Sequence, residues 1–327
     1  MSYFLHGATL ALAWFLATNV VLSAVVAALA PGRDIAAHAR PSAVLPLLLR
    51  LLPATASAAF VAGVFVPSYW MFEPRDAAEG VDVTVALFAA GGAWLLAAAA
   101  LRGAIAWCRA VRRVRAWTQT AAPLGLRDVG VPAFRIDAPQ PVMALAGVLR
   151  PRLLVTRALI DALTPEELAA TVAHEVGHHH ARDNLKRLAM VGAPDALRWT
   201  PAARRLERQW AAAAEHRADA VAARRSDRTA RLTLASALVK VARLMPASTP
   251  IAEPISTLIG GGEIARRVQR LIDDDRVEPG YTPASDRARW GARSTAAAAV
   301  LLALGFGYAP LLAVVHAATE ILVHRLP

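Results

Sequence analysis

The chain is short of cysteine and of acidic side chains, and each shortage excludes something. Cys108 is the single cysteine in 327 residues, so neither an intrachain disulfide framework nor a metal site built on thiolates can form. Lys and Arg outnumber Asp and Glu by 36 to 25, giving a formal net charge of +11. Such a balance can signal nucleic acid, but the densest basic run, Arg109-Ala-Val-Arg-Arg-Val-Arg115, lacks interleaved aromatics and abuts an apolar stretch. No nucleic-acid partner is therefore expected; an anchor to anionic lipid fits the run better. No internal repeat and no low-complexity tail is present.

Charge is absent altogether from several long runs. Tyr3–Ala30 holds no Asp, Glu, Lys or Arg, and neither do Leu51–Phe72, Val83–Leu101 or Ser294–Thr319. About 20 apolar residues suffice to cross a bilayer, and 56% hydrophobic residues with a mean hydropathy of +0.39 exceed what a soluble chain of this size carries. The first run lacks a basic start and is too long for a signal peptide, so it reads as a retained span. The expected organisation is three transmembrane helices within residues 1–108 (about 3–30, 47–72 and 83–106), a domain over 109–293, a fourth span at 294–319 and a short tail, 320–327. Loop charges set the orientation. Arg33, Arg40 and Arg50 lie between the first two spans and five arginines follow the third, whereas the loop between the second and third carries Glu73, Asp76, Glu79 and Asp82 against Arg75. Basic loops mark the cytoplasmic side. Both termini are thus expected outside a multi-pass inner-membrane protein, with residues 109–293 in the cytoplasm.

Within that segment lies His174-Glu175-Val176-Gly177-His178. Residues four apart share a helix face, so both imidazoles can reach one zinc ion while Glu175 stands beside them as a general base for a bound water. A catalytic zinc takes a third protein ligand from another element. Trp210–Ala220 has strong helical propensity and places Glu215 and Asp219 on one face. Glu215 is the expected third ligand; Asp219 is expected to accept an N–H from a ligand histidine, a role for which Asp183 is a second candidate. His179 and His180 point to other faces and read as polar or substrate-side residues, and His216 can face either the site or solvent. The motif helix is announced by Thr164-Pro165-Glu166-Glu167, an N-cap, a Pro at the first helical position and a capping-box Glu, followed by a Leu168, Val172, Val176 packing stripe.

Around the motif, Val142–Ala146 and Leu153–Thr156 read as short strands flanking Gly147 and Pro151. A strand edge there suggests that substrate binds extended, by strand addition. The stretch with Pro123, Gly125, Gly130 and Pro132 reads as loop. Leu185–Trp199 reads as amphipathic or interfacial, Ala202–Arg225 and Thr229–Leu244 as helices, 246–262 as a loop and Asp273–Asp275 as a solvated helix end.

Taken together, Pro141–Thr156, Leu163–Leu168, the H-E-V-G-H motif with Arg182-Asp183, and Glu215-x-x-Ala218-Asp219 resemble the BlaR/MecR-type membrane metallopeptidases. The resemblance is strong over about 141–220, and the three-plus-one arrangement of spans extends it across most of residues 1–320. It implies a gluzincin: one catalytic zinc on His174, His178 and Glu215, Glu175 as base, and a mainly α integral membrane protein whose zinc-peptidase domain combines helices with a small β-sheet. It further implies cleavage of a protein or peptide at the cytoplasmic face, in regulated proteolysis of, for example, a transcriptional repressor. After the fourth span too few residues follow for the penicillin-binding sensor of the antibiotic receptors, so β-lactam sensing is not expected. The same core motifs occur in the HtpX and CAAX prenyl protease family, which makes membrane-protein quality control the alternative activity. A non-catalytic signalling protein with a structural metal is the third reading.

Overall fold

The computed structural model describes residues 2–30, 43–75, 81–126, 129–138, 141–223, 228–244, 261–273 and 308–321. Three helices are long and apolar enough to cross a membrane: α1 (Tyr3–Leu29), α2 (Val44–Phe72) and α3 (Val83–Thr118). Asp82 caps α3 by accepting from the Thr84 N–H at 2.7 Å. Helices α1 and α3 pack closely where a glycine meets backbone. A Cβ on Gly92 of α3 would lie 2.3 Å from the Leu12 carbonyl of α1, so only glycine admits this crossing. Helix α2 passes through a π-turn at Val61–Phe65 before Pro67. Pro67 has no N–H for the Gly63 carbonyl, and the Tyr308 hydroxyl donates to that carbonyl instead.

Beyond α3 the chain builds a small sheet and a helical cluster. Strands β1 (Ala122–Pro123), β2 (Ala133–Ile136), β3 (Met143–Ala146) and β4 (Arg152–Thr156) are ordered β1-β2-β4-β3. Only the β2–β4 pair is parallel; Met143 stands opposite Val155 and Ala146 opposite Arg152 in the β3–β4 hairpin. Gly147 opens that hairpin at φ +102°, a left-handed conformation that glycine adopts without strain. There follow α4 (Arg157–Ala162), α5 (Pro165–His180), α6 (Asp183–Gly192), a 3₁₀ turn (Ala196–Trp199), α7 (Pro201–Ala223), α8 (Arg228–Leu244) and α9 (Gly261–Asp273). A last apolar helix, α10, covers Tyr308–Ile321. The stripe Leu168, Val172, Val176 packs with Leu153 and Val155 of the sheet and Ala237 and Val241 of α8 in one core.

The helical cluster sits directly on the apolar helices. Asn19 of α1, fully buried, donates to the carbonyls of Pro53 (3.3 Å) and Pro194 (2.9 Å) and accepts from the Ala196 N–H. Arg50 of α2 reaches Asp195 at 2.8 Å, Glu207 at 2.7 Å and the Met190 carbonyl. Arg102 of α3 donates to the carbonyls of Val191 and Ala193, and Trp94 stacks on Trp199 at 5.6 Å.

Several expectations need correction. Helix α3 runs to Thr118, twelve residues past the expected end at 106, because nothing between Arg102 and Thr118 breaks a helix. The stretch expected to be loop touches β1 at Pro123, and β2, directly after Pro132, was not expected as a strand. Leu185–Trp199, expected to be amphipathic or interfacial, takes in most of α6 and the 3₁₀ turn, with a break at Pro194, and is not among the helices able to span. Most of the expected 246–262 loop lies outside the described residues, although Gly261 already begins α9. Of the expected fourth span, 294–307 lies outside them too, as do Asp274 and Asp275.

Candidate metal centre

Helix α5 is set by its ends. Thr164 accepts from the Glu167 N–H at 3.3 Å while Glu167 accepts from the Thr164 N–H at 2.9 Å, closing the capping box. The same Glu167 carboxylate accepts from Ser236 (2.7 Å) and Lys240 (2.6 Å), tying α5 to α8. Burial opposes its charge, yet these hydrogen bonds hold the carboxyl below the usual range. From this start the helix delivers His174 and His178 to one face.

Helix α7 brings the third donor. It approaches α5 at Gly177, where a Cβ would stand 3.1 Å from the Ala218 Cα. That contact lets Glu215 and Asp219, one turn apart, reach the histidines. The Nε2 atoms of His174 and His178 lie 3.2 Å apart; Glu215 places Oε2 3.4 Å from the first and Oε1 3.5 Å from the second. A tetrahedral zinc with bonds of about 2.0–2.2 Å has donor–donor edges of about 3.3–3.6 Å, so the triangle has the right size for one ion. His174, His178 and Glu215 thus form a group that can hold a metal.

The nitrogens that face away are engaged. His174 Nδ1 donates to Asp219 Oδ1 at 2.9 Å, and His178 Nδ1 to Asp183 Oδ2 at 2.7 Å. Each bond selects the tautomer whose Nε2 lone pair points into the triangle. Asp183 is held in turn by Arg217 at 2.8 Å, with Lys186 at 3.7 Å. Sequence reasoning missed Arg267 of α9. It donates to both Asp219 oxygens, at 3.0 and 2.6 Å, stands 3.0 Å from Glu215 Oε2, and lies 3.4 Å from the ring nitrogens of His174. No spacing links residue 267 to the motif, so only the fold brings it there. Arg187 is 4.0 Å from Glu215.

The carboxylates around the triangle favour a cation, while the Arg267 guanidinium, 3.0 Å from Glu215 Oε2, opposes a second one. Burial works against charge on His178, but Asp183 and Glu215 push its imidazole up to about 10. Against the same burial, hydrogen bonds from His174 and His178 hold Glu215 well below the usual carboxylate range. A proton is therefore the ion's direct competitor at these donors. Glu175 behaves differently: burial pushes its carboxyl up, opposed by the two imidazoles and by the Leu145 N–H, which donates to Oε2 at 3.0 Å. Asn184 clamps the same strand by donating to the Leu145 and Gly147 carbonyls, both at 2.8 Å. His179 is half-buried, His180 is exposed, and His216 meets Arg270 at 3.3 Å; none of the three joins the triangle. Glu73, His316 and Glu320 form a second convergent group at the other end of α2.

Residues 115–243 match Peptidase family M48. The match takes in the sheet, α5, α7 and nearly all of α8, hence every member of the triangle. No curated protein matches the chain. Together with the apolar helices, the M48 segment supports a membrane metallopeptidase that hydrolyses protein or peptide substrates, in a family that is generally zinc-dependent; it does not single out the BlaR/MecR group.

Proposed function

We propose that this protein is a zinc-dependent endopeptidase of the cytoplasmic membrane, with α1–α3 and a fourth segment ending in α10 as spans, both termini outside and the M48 segment in the cytoplasm. The observation that carries the reading is the donor triangle with a buried, proton-accepting carboxylate beside it. His174, His178 and Glu215 would hold the ion; Asp219 and Asp183 orient the two imidazoles. A bound zinc supplies Lewis-acid polarisation of a carbonyl and acidifies water. Glu175 would take a proton from an attacking water on its carboxylate and return it to the departing amine. Its raised affinity for a proton, due to burial, suits both halves of the task. Three donors and an adjacent base argue against a purely structural ion, which normally has four protein ligands.

The substrate is proposed from the resemblance to BlaR/MecR-type peptidases as a cytoplasmic regulator, such as a repressor, cleaved at the inner face. The test uses the full-length protein purified in detergent. Wild type binds one zinc and cleaves an unfolded protein such as casein; Glu175→Gln keeps the zinc and loses cleavage, and His178→Ala loses both. Cleavage surviving in Glu175→Gln would falsify the assignment. In cells, a proteome in which one regulator accumulates with Glu175→Gln supports regulated proteolysis, whereas accumulation of many membrane proteins supports quality control.

A further inference from the structure

A groove of about 490 Å³ runs between the last turns of α3 and the β3–β4 hairpin, well within the range of small-molecule sites, about 300–1,000 Å³. Its floor is apolar: Trp107, Val111 and Val114 come from α3, and Leu149, 71% exposed, from the hairpin tip. Its rim is basic. Arg115, Arg150 and Arg152 line it, and among the described residues none of the three has a carboxylate partner. Arg152 lies over the Phe134 ring at 5.5 Å, which steadies its guanidinium. The uncharged run of α3 ends at Leu101, and Trp107 follows within two turns, so the groove opens where a tryptophan settles at a bilayer interface.

We infer that this groove binds one anionic phospholipid, its phosphate on the three guanidiniums and the upper part of an acyl chain on the apolar floor. Arginine forks suit phosphate oxygens, and Trp107, two turns beyond the uncharged run, brings the near end of the groove to the bilayer interface. The apolar floor selects a lipid over a soluble phosphate ester, which would leave that surface wet. The proposal rests on α3 crossing the bilayer and is independent of the peptidase reading. It has a structural consequence, because the hairpin forming one wall begins at Gly147, whose carbonyl shares the Asn184 amide with Leu145 of β3. Lipid seated there bears on the strand that holds Glu175.

The test measures binding of phosphatidylglycerol and of phosphatidylcholine to the detergent-purified full chain by native mass spectrometry. Wild type is expected to prefer phosphatidylglycerol at least tenfold. The double variant Arg115→Ala/Arg150→Ala, altering two exposed side chains, is expected to lose about 30-fold. Arg204→Ala/Arg208→Ala removes the same charge from exposed positions of α7 that do not line the groove and is expected to change affinity less than threefold. Equal losses in both double variants, or no preference between the two lipids, would overturn the site. Displacement of the lipid by glycerol phosphate or by an acidic peptide at micromolar concentration would assign the groove to a soluble ligand instead and overturn the proposal equally.

Discussion

Asp219 and Asp183 each take one N–H from a histidine of the triangle and are themselves clamped by arginine. Replacing either with Asn keeps the shape but removes the charge that makes the imidazole a better donor. Asp219→Asn and Asp183→Asn should each weaken zinc binding about 10–100-fold, read by competition with a chromogenic chelator; unchanged affinity would show that these carboxylates serve only folding. Glu167 acts on stability instead. Its carboxyl is more acidic folded than unfolded, so its contribution is complete above the unfolded value of about 4.3 and drains as pH falls through the folded one. The Tm difference between wild type and Glu167→Gln should therefore narrow on acidification from about pH 5 to pH 3, whereas a constant gap would detach it from titration.

Element ends and glycine contacts decide whether these side chains meet. Gly177 lies inside the motif, yet its role is steric: it admits α7 at Ala218. Gly177→Val should push α7 outward, spreading the triangle and costing about 1–3 kcal/mol through overpacking. Zinc per purified chain should fall toward zero while helical circular dichroism persists; full zinc occupancy would show that α7 finds another approach. The motif helix was legible because capping box, stripe and histidine spacing agree along one stretch of chain. The Glu215 helix was legible from propensity and a single i,i+4 pair. β1 and β2 were missed because two to four residues carry little alternation and Pro123 and Pro132 beside them read as loop, whereas β3, equally short, is an unbroken apolar run before Gly147. Arg267 was invisible for another reason: its partners lie 48 and 93 positions away, and a lone arginine on an amphipathic helix reads as a solvated face.

At the scale of the whole molecule, apolar helices and peptidase segment are joined by buried polar contacts rather than by chain connectivity alone. Arg50 and Asp195 are 1% and 0% exposed, so removing one partner strands a charge. Arg50→Met should destabilise by about 3–5 kcal/mol, and adding Asp195→Asn, which keeps its cap on the 3₁₀ turn, should restore much of the lost Tm; a double variant no better than the single would locate the loss in Glu207 or in packing. Glu207 and Glu215 sit eight residues apart on α7, about 12 Å along one rigid rod. Arg50 grips the first, and the second closes the donor triangle. A bilayer that thins or thickens tilts the helices crossing it; were α2 to tilt, the same rod should carry the movement to the metal donors, so zinc affinity should differ between bilayers of short-chain and long-chain lipid, and equal affinity would show that the Arg50–Glu207 joint gives way first.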